Sequence, residues 1–348
     1  MNRSPSLFGS SVLRWLLPIN LGMQILIVVT GGLVRLTGSG LGCSTWPQCE
    51  PGSYTPTFRP EDGIHPYIEF GNRLIGILVG IVAVATVFAV WRWAQPSIRR
   101  RLLLLAGLVL LGTLAQGVLG GITVNLELNP ATVMAHFLIS MVLIVVSTLL
   151  LVTHRGTPSG RTGPVPRVVR AVAVLTGAVG AVVVVLGTVV TGSGPHSGDA
   201  DQPARFGFDP QTVSWLHADS VMLFVGLVVA MVVSTSLVPQ TQRARRPWRL
   251  VLAVSLAQGV LGYVQYATGV PVPLVSLHML GACLLVTTLT WGIASVLWTT
   301  RLEPGPAAAV DRDPTALDQG EVQQRIDRDS EKDERQIADR VVKETHRT

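Results

Sequence analysis

Charge is what this sequence has least of. Only 14% of its 348 residues are Asp, Glu, Lys or Arg, against 48% hydrophobic, and mean hydropathy is +0.47. A soluble globular chain carries about a quarter charged residues, so that class is excluded. Lysine is missing from the first 300 positions; Lys332 and Lys343 are the only two. Cysteine is scarce as well, with Cys43 and Cys49 close together and Cys283 alone. A zinc site needs more ligands than the sequence places near them.

What is present is apolar sequence in long runs. Eight stretches of about 20 residues, the length that crosses a hydrocarbon core roughly 30 Å thick, occur at 16–34, 70–90, 102–124, 131–152, 171–191, 213–238, 250–268 and 274–298. Glycine recurs within them, which suits close helix contacts in lipid. The fold expected is an all-α integral membrane protein of eight transmembrane helices. The first stretch is long and runs into a motif repeated later, so it reads as a helix and not as a cleaved signal.

Arginine sets the orientation. All 18 basic residues between 1 and 300 are Arg, and 14 of them lie at the N-terminus or after the second, fourth and sixth stretches: Arg3, Arg14, Arg92, Arg99, Arg100, Arg101, Arg155, Arg161, Arg167, Arg170, Arg243, Arg245, Arg246 and Arg249. Arg35, Arg59, Arg73 and Arg205 lie on the other side, with the acidic residues. The positive-inside rule puts both termini in the cytoplasm, and the plasma membrane is the expected location. The pI near 9.8 therefore reflects topology and gives no sign of nucleic-acid binding. Residues 301–348 differ in kind, with 9 basic and 12 acidic residues after an Ala/Pro-rich start. They are expected to form a disordered cytoplasmic tail with a short helix near 322–343.

The chain repeats itself. Leu114-Ala-Gln-Gly-Val-Leu-Gly120 recurs as Leu256-Ala-Gln-Gly-Val-Leu-Gly262, and the same offset of 142 carries His136 onto His278. Thr37-Gly-Ser-Gly40 recurs as Thr191-Gly-Ser-Gly194. Each repeat spans four helices, an even number, so the halves share one orientation and form a parallel tandem pair. The expected organisation is two pseudo-symmetric four-helix bundles, 1–161 and 162–300, followed by the tail.

Ionisable groups inside a membrane are costly and mark function. Here they are Glu69, Arg73, His136, His217, Asp219 and His278. The three histidines lie near the starts of the even-numbered helices, at similar depth. One alone would be read as an interhelical hydrogen-bonding residue. A repeat-matched pair with a third opposite points to haem, whose iron takes imidazole as axial ligand between facing helices. By repeat symmetry His217 and His278 clamp one haem, and the second and fourth helices form the equivalent cavity with His136 on one wall.

The second helix breaks that symmetry. Its outer end reads His65-Pro-Tyr-Ile-Glu69-Phe-Gly-Asn72-Arg73, with Asn72 or its neighbours where His217 falls. At helical spacing residues 65, 69, 72 and 73 share a face. Glu69 is either a structural partner of Arg73 or a proton-transfer group at the cavity. Cys43 and Cys49 sit in an extracytoplasmic loop, an oxidising setting in which they can form a disulfide, structural or redox-active. Cys283 reads as a small packing residue. His196, in the matching loop of the second half, reads as a loop residue.

These residues together resemble the haem A synthase family, bacterial and mitochondrial (Cox15-like), over about residues 11–300. The resemblance is carried by Gly31 to Cys43 (GGLVRLTGSGLGC) with Trp46, Pro47 and Cys49, and by Glu69 with Arg73. Asn129-Pro-Ala with His136, the Thr191 to His196 loop, His217 and His278 complete it. It implies an oxidoreductase that converts a ring methyl of haem O to a formyl group by successive hydroxylations, with water as oxygen source. It implies haem b as cofactor with His217 and His278 as axial ligands, and haem O as substrate at His136, with Glu69 near the reacting methyl. It further implies a Cys43–Cys49 disulfide near the substrate cavity, and haem O synthase and cytochrome oxidase assembly factors as partners. A homo-oligomer is open. Many members read Glu-x-x-His-Arg on the second helix; here that histidine is Asn72, so His136 alone, or with His65 as a substitute ligand, would hold the substrate iron. Two other classes compete: a dihaem b carrier resembling cytochrome b561, and a transporter with parallel repeats.

Overall fold

A computed structural model describes residues 7–156, 164–196, 198 and 204–298. The expectations for Arg3, Arg161 and the 301–348 tail, including its helix near 322–343, lie outside the described residues. Eight helices follow one another: α1 (Leu7–Leu36), α2 (His65–Trp93), α3 (Pro96–Asn125), α4 (Pro130–Arg155), α5 (Arg167–Ser193), α6 (Pro210–Leu237), α7 (Arg245–Ala267) and α8 (Val272–Leu297). A short 3-10 turn, Pro239–Ala244, leads into α7. Among the described residues there is no strand beyond one isolated bridge between Glu50 and Ser53.

All eight are long and apolar enough to cross a membrane, the shortest span at 26 residues once the turn Pro239–Ala244 is joined to the 23 residues of α7. At 1.5 Å per residue such a helix reaches about 39 Å, beyond the roughly 30 Å of hydrocarbon. The chain is a multi-pass membrane protein. Each of the expected stretches falls on one helix, and the helices extend past them at most ends. The excess is polar or charged sequence that the headgroup region tolerates and a hydropathy window does not count. At 238, 268 and 298 the helices stop one residue earlier than expected.

Proline sets several helix starts. In α2, α3, α4, α6 and α8 it occupies the first turn, where its missing N–H costs nothing and its fixed φ suits the helix. Two of these starts are also capped. Asn129 accepts from Ala131 N at 3.0 Å, and Asp209 accepts from Thr212 N at 2.7 Å. The Thr212 bonds hold the Asp209 carboxyl below its ordinary range.

Large apolar side chains such as Leu74, Phe88, Leu104, Leu108, Leu111 and Leu223 are exposed. On spanning helices that is the face turned to lipid, where the backbone is already satisfied. Inside, α1 packs on α2, α2 on α3, α3 on α4 and α4 back on α1; the same cycle joins α5, α6, α7 and α8. Between the cycles, α8 touches α1 and α4, and α4 touches α5. Leu21, Val28, Met141, Ile144, Cys283 and Val286 form the buried cluster at that junction. Cys283 is thus a fully buried packing residue, in line with its reading from sequence.

Candidate functional site

The site is built at the end of the bundle where the even-numbered helices begin. A cavity of about 1540 Å³ runs across both four-helix cycles and is lined by Glu69, Asn72, Arg73, His136, His217 and His278. Drug-sized pockets run to about 1,000 Å³, so this space admits more than one large ligand.

The repeated motif on α3 and α7 explains how two of the histidines are placed. Gln116 Nε2 donates to the backbone oxygen of His136 at 2.7 Å, and Gln258 Nε2 donates to that of His278 at 2.8 Å. Four residues on, and so on the same helical face, stand Gly120 and Gly262. A Cβ on either would lie 3.6 Å from the Cε1 of its histidine. The glutamine fixes the height of the histidine-bearing helix, and the glycine lies against the ring. Sequence reasoning saw this motif only as a repeat. The signal it missed was the i, i+4 spacing of an amide and a glycine on the helix facing each histidine. Replacing Gln258 by Leu should destabilise the fold by about 0.6–2 kcal/mol, the range for interhelical hydrogen bonds in lipid. Gln116→Leu should cost a similar amount, and thermal unfolding in detergent measures both.

His217 enters from α6 against Gly187 of α5, where a Cβ would lie 3.2 Å from its Cε1. His217 and His278 line the same cavity. On α2 the corresponding place opposite α1 is held by Asn72, whose Nδ2 lies 3.7 Å from a Cβ built on Gly31. Thr30 Oγ1 donates to Asn72 Oδ1 at 2.8 Å.

Glu69, 5% exposed, is held on both oxygens. Its Oε2 accepts from Cys43 N at 2.7 Å, and its Oε1 pairs with Arg73 Nη2 at 2.6 Å. Arg73 also donates to the carbonyls of Thr45, Pro47 and Gln48. The pair therefore clamps the loop closed by the Cys43–Cys49 disulfide onto α2. That loop sends Trp46 against Gly121 of α3 and into the cavity wall. The carboxylate both anchors the loop and lines the cavity. Elsewhere in the loop, Glu50 accepts from Thr57 N and Oγ1, and these bonds hold its carboxyl below the ordinary range.

Other candidates sit apart from the cavity. His65 is the first residue of α2; its Nδ1 lies 2.8 Å from Ser39 Oγ, and it does not line the cavity. His196 Nε2 bonds the carbonyl of Val270 at 2.9 Å, tying the loop after α5 to the α7–α8 turn. Asp219 is exposed and not part of the lining. Arg35, counted in the sequence only for topology, lines the cavity and donates from Nη2 to Thr191 O at 2.9 Å, while its Nε is buried without a partner. Together with Gly40 N bonded to Gly198 O at 3.0 Å, it ties the loop after α1 to the end of α5.

The arrangement suits haem. Each histidine supplies one ring from a separate helix, which matches an iron whose equatorial ligands come with a porphyrin. The Nδ1 atoms of His136 and His278 are buried and carry no hydrogen bond, and the glycines facing them make cradles that a side chain would fill.

The sequence is similar to those of known proteins. The model of the COX15-CtaA family, described as cytochrome oxidase assembly protein, matches residues 14–290. A protein named heme A synthase from Halalkalibacterium halodurans is 28% identical over 316 residues, covering 86% of this chain and 95% of that one. Another of that name from Methylorubrum extorquens (strain PA1) is 35% identical over 200 residues, covering 49% of this chain and 52% of its own length. A third, from Geobacillus thermodenitrificans, is 38% identical over 133 residues, covering 37% and 39%. With the family model spanning all eight membrane helices at least in part, the chain belongs to the COX15-CtaA family.

Proposed function

We propose that this protein is a haem A synthase, an oxidoreductase that converts the ring methyl of haem O to the formyl group of haem A. The observation that carries the reading is one cavity with two unlike ends: a His217–His278 pair at one, and His136 with Glu69 at the other. The halves, 1–161 and 162–300, then divide the work. The C-terminal half holds a resident haem b between His217 and His278, and the N-terminal half takes the substrate at His136. A bound haem b supplies one-electron transfer. A site among membrane-spanning helices suits a substrate with a long, lipid-soluble isoprenoid tail.

The chain's own residues do the rest. Gln116 and Gln258 fix the heights of α4 and α8, so that both rings are set before a ligand enters. Arg35, with a buried unpaired Nε, is placed to receive a haem carboxylate at the junction of the halves. Glu69, in the cavity lining, takes a proton released near the reacting methyl, while Arg73 and Cys43 hold the carboxylate in place. The Trp46 loop closes that end of the cavity from water. The arginine distribution supports cytoplasmic termini, and the plasma membrane is the location this role implies. Haem O synthase and oxidase assembly factors are the partners this role implies.

Haem extraction from purified protein, with chromatographic identification, tests the reading. Haem b together with haems O and A is expected. Two b haems per chain would point to an electron carrier, and a haem-free protein would point to a transporter; either would overturn the assignment.

A further inference from the structure

The two ends of the cavity are built on one plan, and the plan is broken at one position. The glutamine bonds to His136 and His278 O differ by 0.1 Å, and the glycine distances to their rings are equal at 3.6 Å. His136 therefore stands in its half as His278 stands in the other. The facing wall differs. Where α6 presents His217 against α5, α2 presents Asn72 against α1. A carboxamide is a poor ligand for haem iron, and this one is committed: its oxygen is held by Thr30.

No other imidazole is at hand. Among the described residues the histidines lining the cavity are His136, His217 and His278. His65 lies seven residues before Asn72 on α2, about 10 Å along the axis at 1.5 Å per residue. Its ring is held by Ser39, and the backbone of Gly42 lies against its own, leaving a Cβ on Gly42 only 2.6 Å from His65 O. Met279, beside His278, also lines the cavity, but its methyl end is packed against Gly32 of α1.

We propose that the N-terminal half binds haem iron through one protein nitrogen, on His136, and that Asn72 keeps the opposite axial face open to a small neutral ligand. This rests on the reading of that half as the substrate site. The asymmetry has a use. In this chain two axial bonds hold the resident haem and one holds the haem that exchanges, so exchange breaks a single iron–protein bond. Asn72 is then the residue that distinguishes the exchanging haem from the resident one.

Carbon monoxide is the probe, since it binds reduced iron with an open axial position and is excluded by two histidines. The full-length protein is purified with both halves loaded, reduced with dithionite and titrated with the gas. Uptake of about one CO per two haems is expected. Asn72→His should reduce uptake at least tenfold and slow transfer of haem O to a haem-scavenging protein. Asn72→Leu should keep uptake and shift the C–O stretching frequency, because the neighbouring amide is gone. His65→Ala and Met279→Leu should leave uptake unchanged. Two haems per chain with no uptake overturn the proposal alone, as does uptake that appears only in His65→Ala or Met279→Leu. A single haem per chain despite added haem O overturns the substrate-site reading, and the proposal with it.

Discussion

His278→Ala is expected to empty the C-terminal half of its haem and to lower conversion of haem O on the order of 100-fold or more. Few side chains can replace the lost nitrogen. The facing residue on α7 is Gly262, and the neighbouring Met279 is packed away against Gly32. His217 would be left as a single ligand, the condition assigned above to a haem that exchanges. The hole left by the ring is open on the Gly262 side, so added imidazole should restore part of the haem content. His136→Ala makes the control. It should leave the resident haem in place while abolishing retention of haem O, because its ring faces the other end of the cavity. Haem identity and amount, measured on each purified variant, decide the matter. Full occupancy by haem b in His278→Ala would remove that residue from the ligand set.

The helices were legible because lipid demands them. Runs of apolar residues bounded by arginine or by Asn-Pro and Asp-Pro steps allow little else, and the prolines at 66, 96, 130, 210 and 273 coincide with helix starts. The repeat was legible because both copies of the α3/α7 motif perform the same local task. The contacts of the site were not. Cys43 N to Glu69, Ser39 to His65 and Arg35 to Thr191 join residues 26, 26 and 156 positions apart. Such pairs leave no trace in periodicity, since neither partner's local pattern depends on the other. Arg35 shows the limit well. Charge counting places it on the outer side, and only its long-range bond to Thr191 O, at the end of α5, shows it as part of the cavity wall.

Glu69 yields the second large effect, and its two roles separate by substitution. Glu69→Ala removes the acceptor of Cys43 N and the partner of Arg73, whose side chain is only 19% exposed. Breaking one member of a buried ion pair costs about 3–5 kcal/mol; Arg73 keeps its bonds to the loop carbonyls, so the lower end is expected. The loop over the cavity should loosen, and Trp46 should lose its seat on Gly121. Glu69→Gln is different. The amide oxygen can still accept from Cys43 N, its volume is the same, and the loop should stay in place with a much smaller loss of thermal stability. What the amide cannot do is take a proton at neutral pH. If the carboxylate is the proton acceptor, Glu69→Gln loses activity by about 10²–10⁴, the usual worth of such a group, and does so with haem content intact. If Glu69 only anchors the loop, activity instead follows stability, with Glu69→Gln near wild type and Glu69→Ala poor. Arg73→Gln supplies the third point, since it releases the loop while leaving the carboxylate. An active Arg73→Gln beside an inactive Glu69→Gln assigns the chemistry to the carboxylate and the anchoring to the pair.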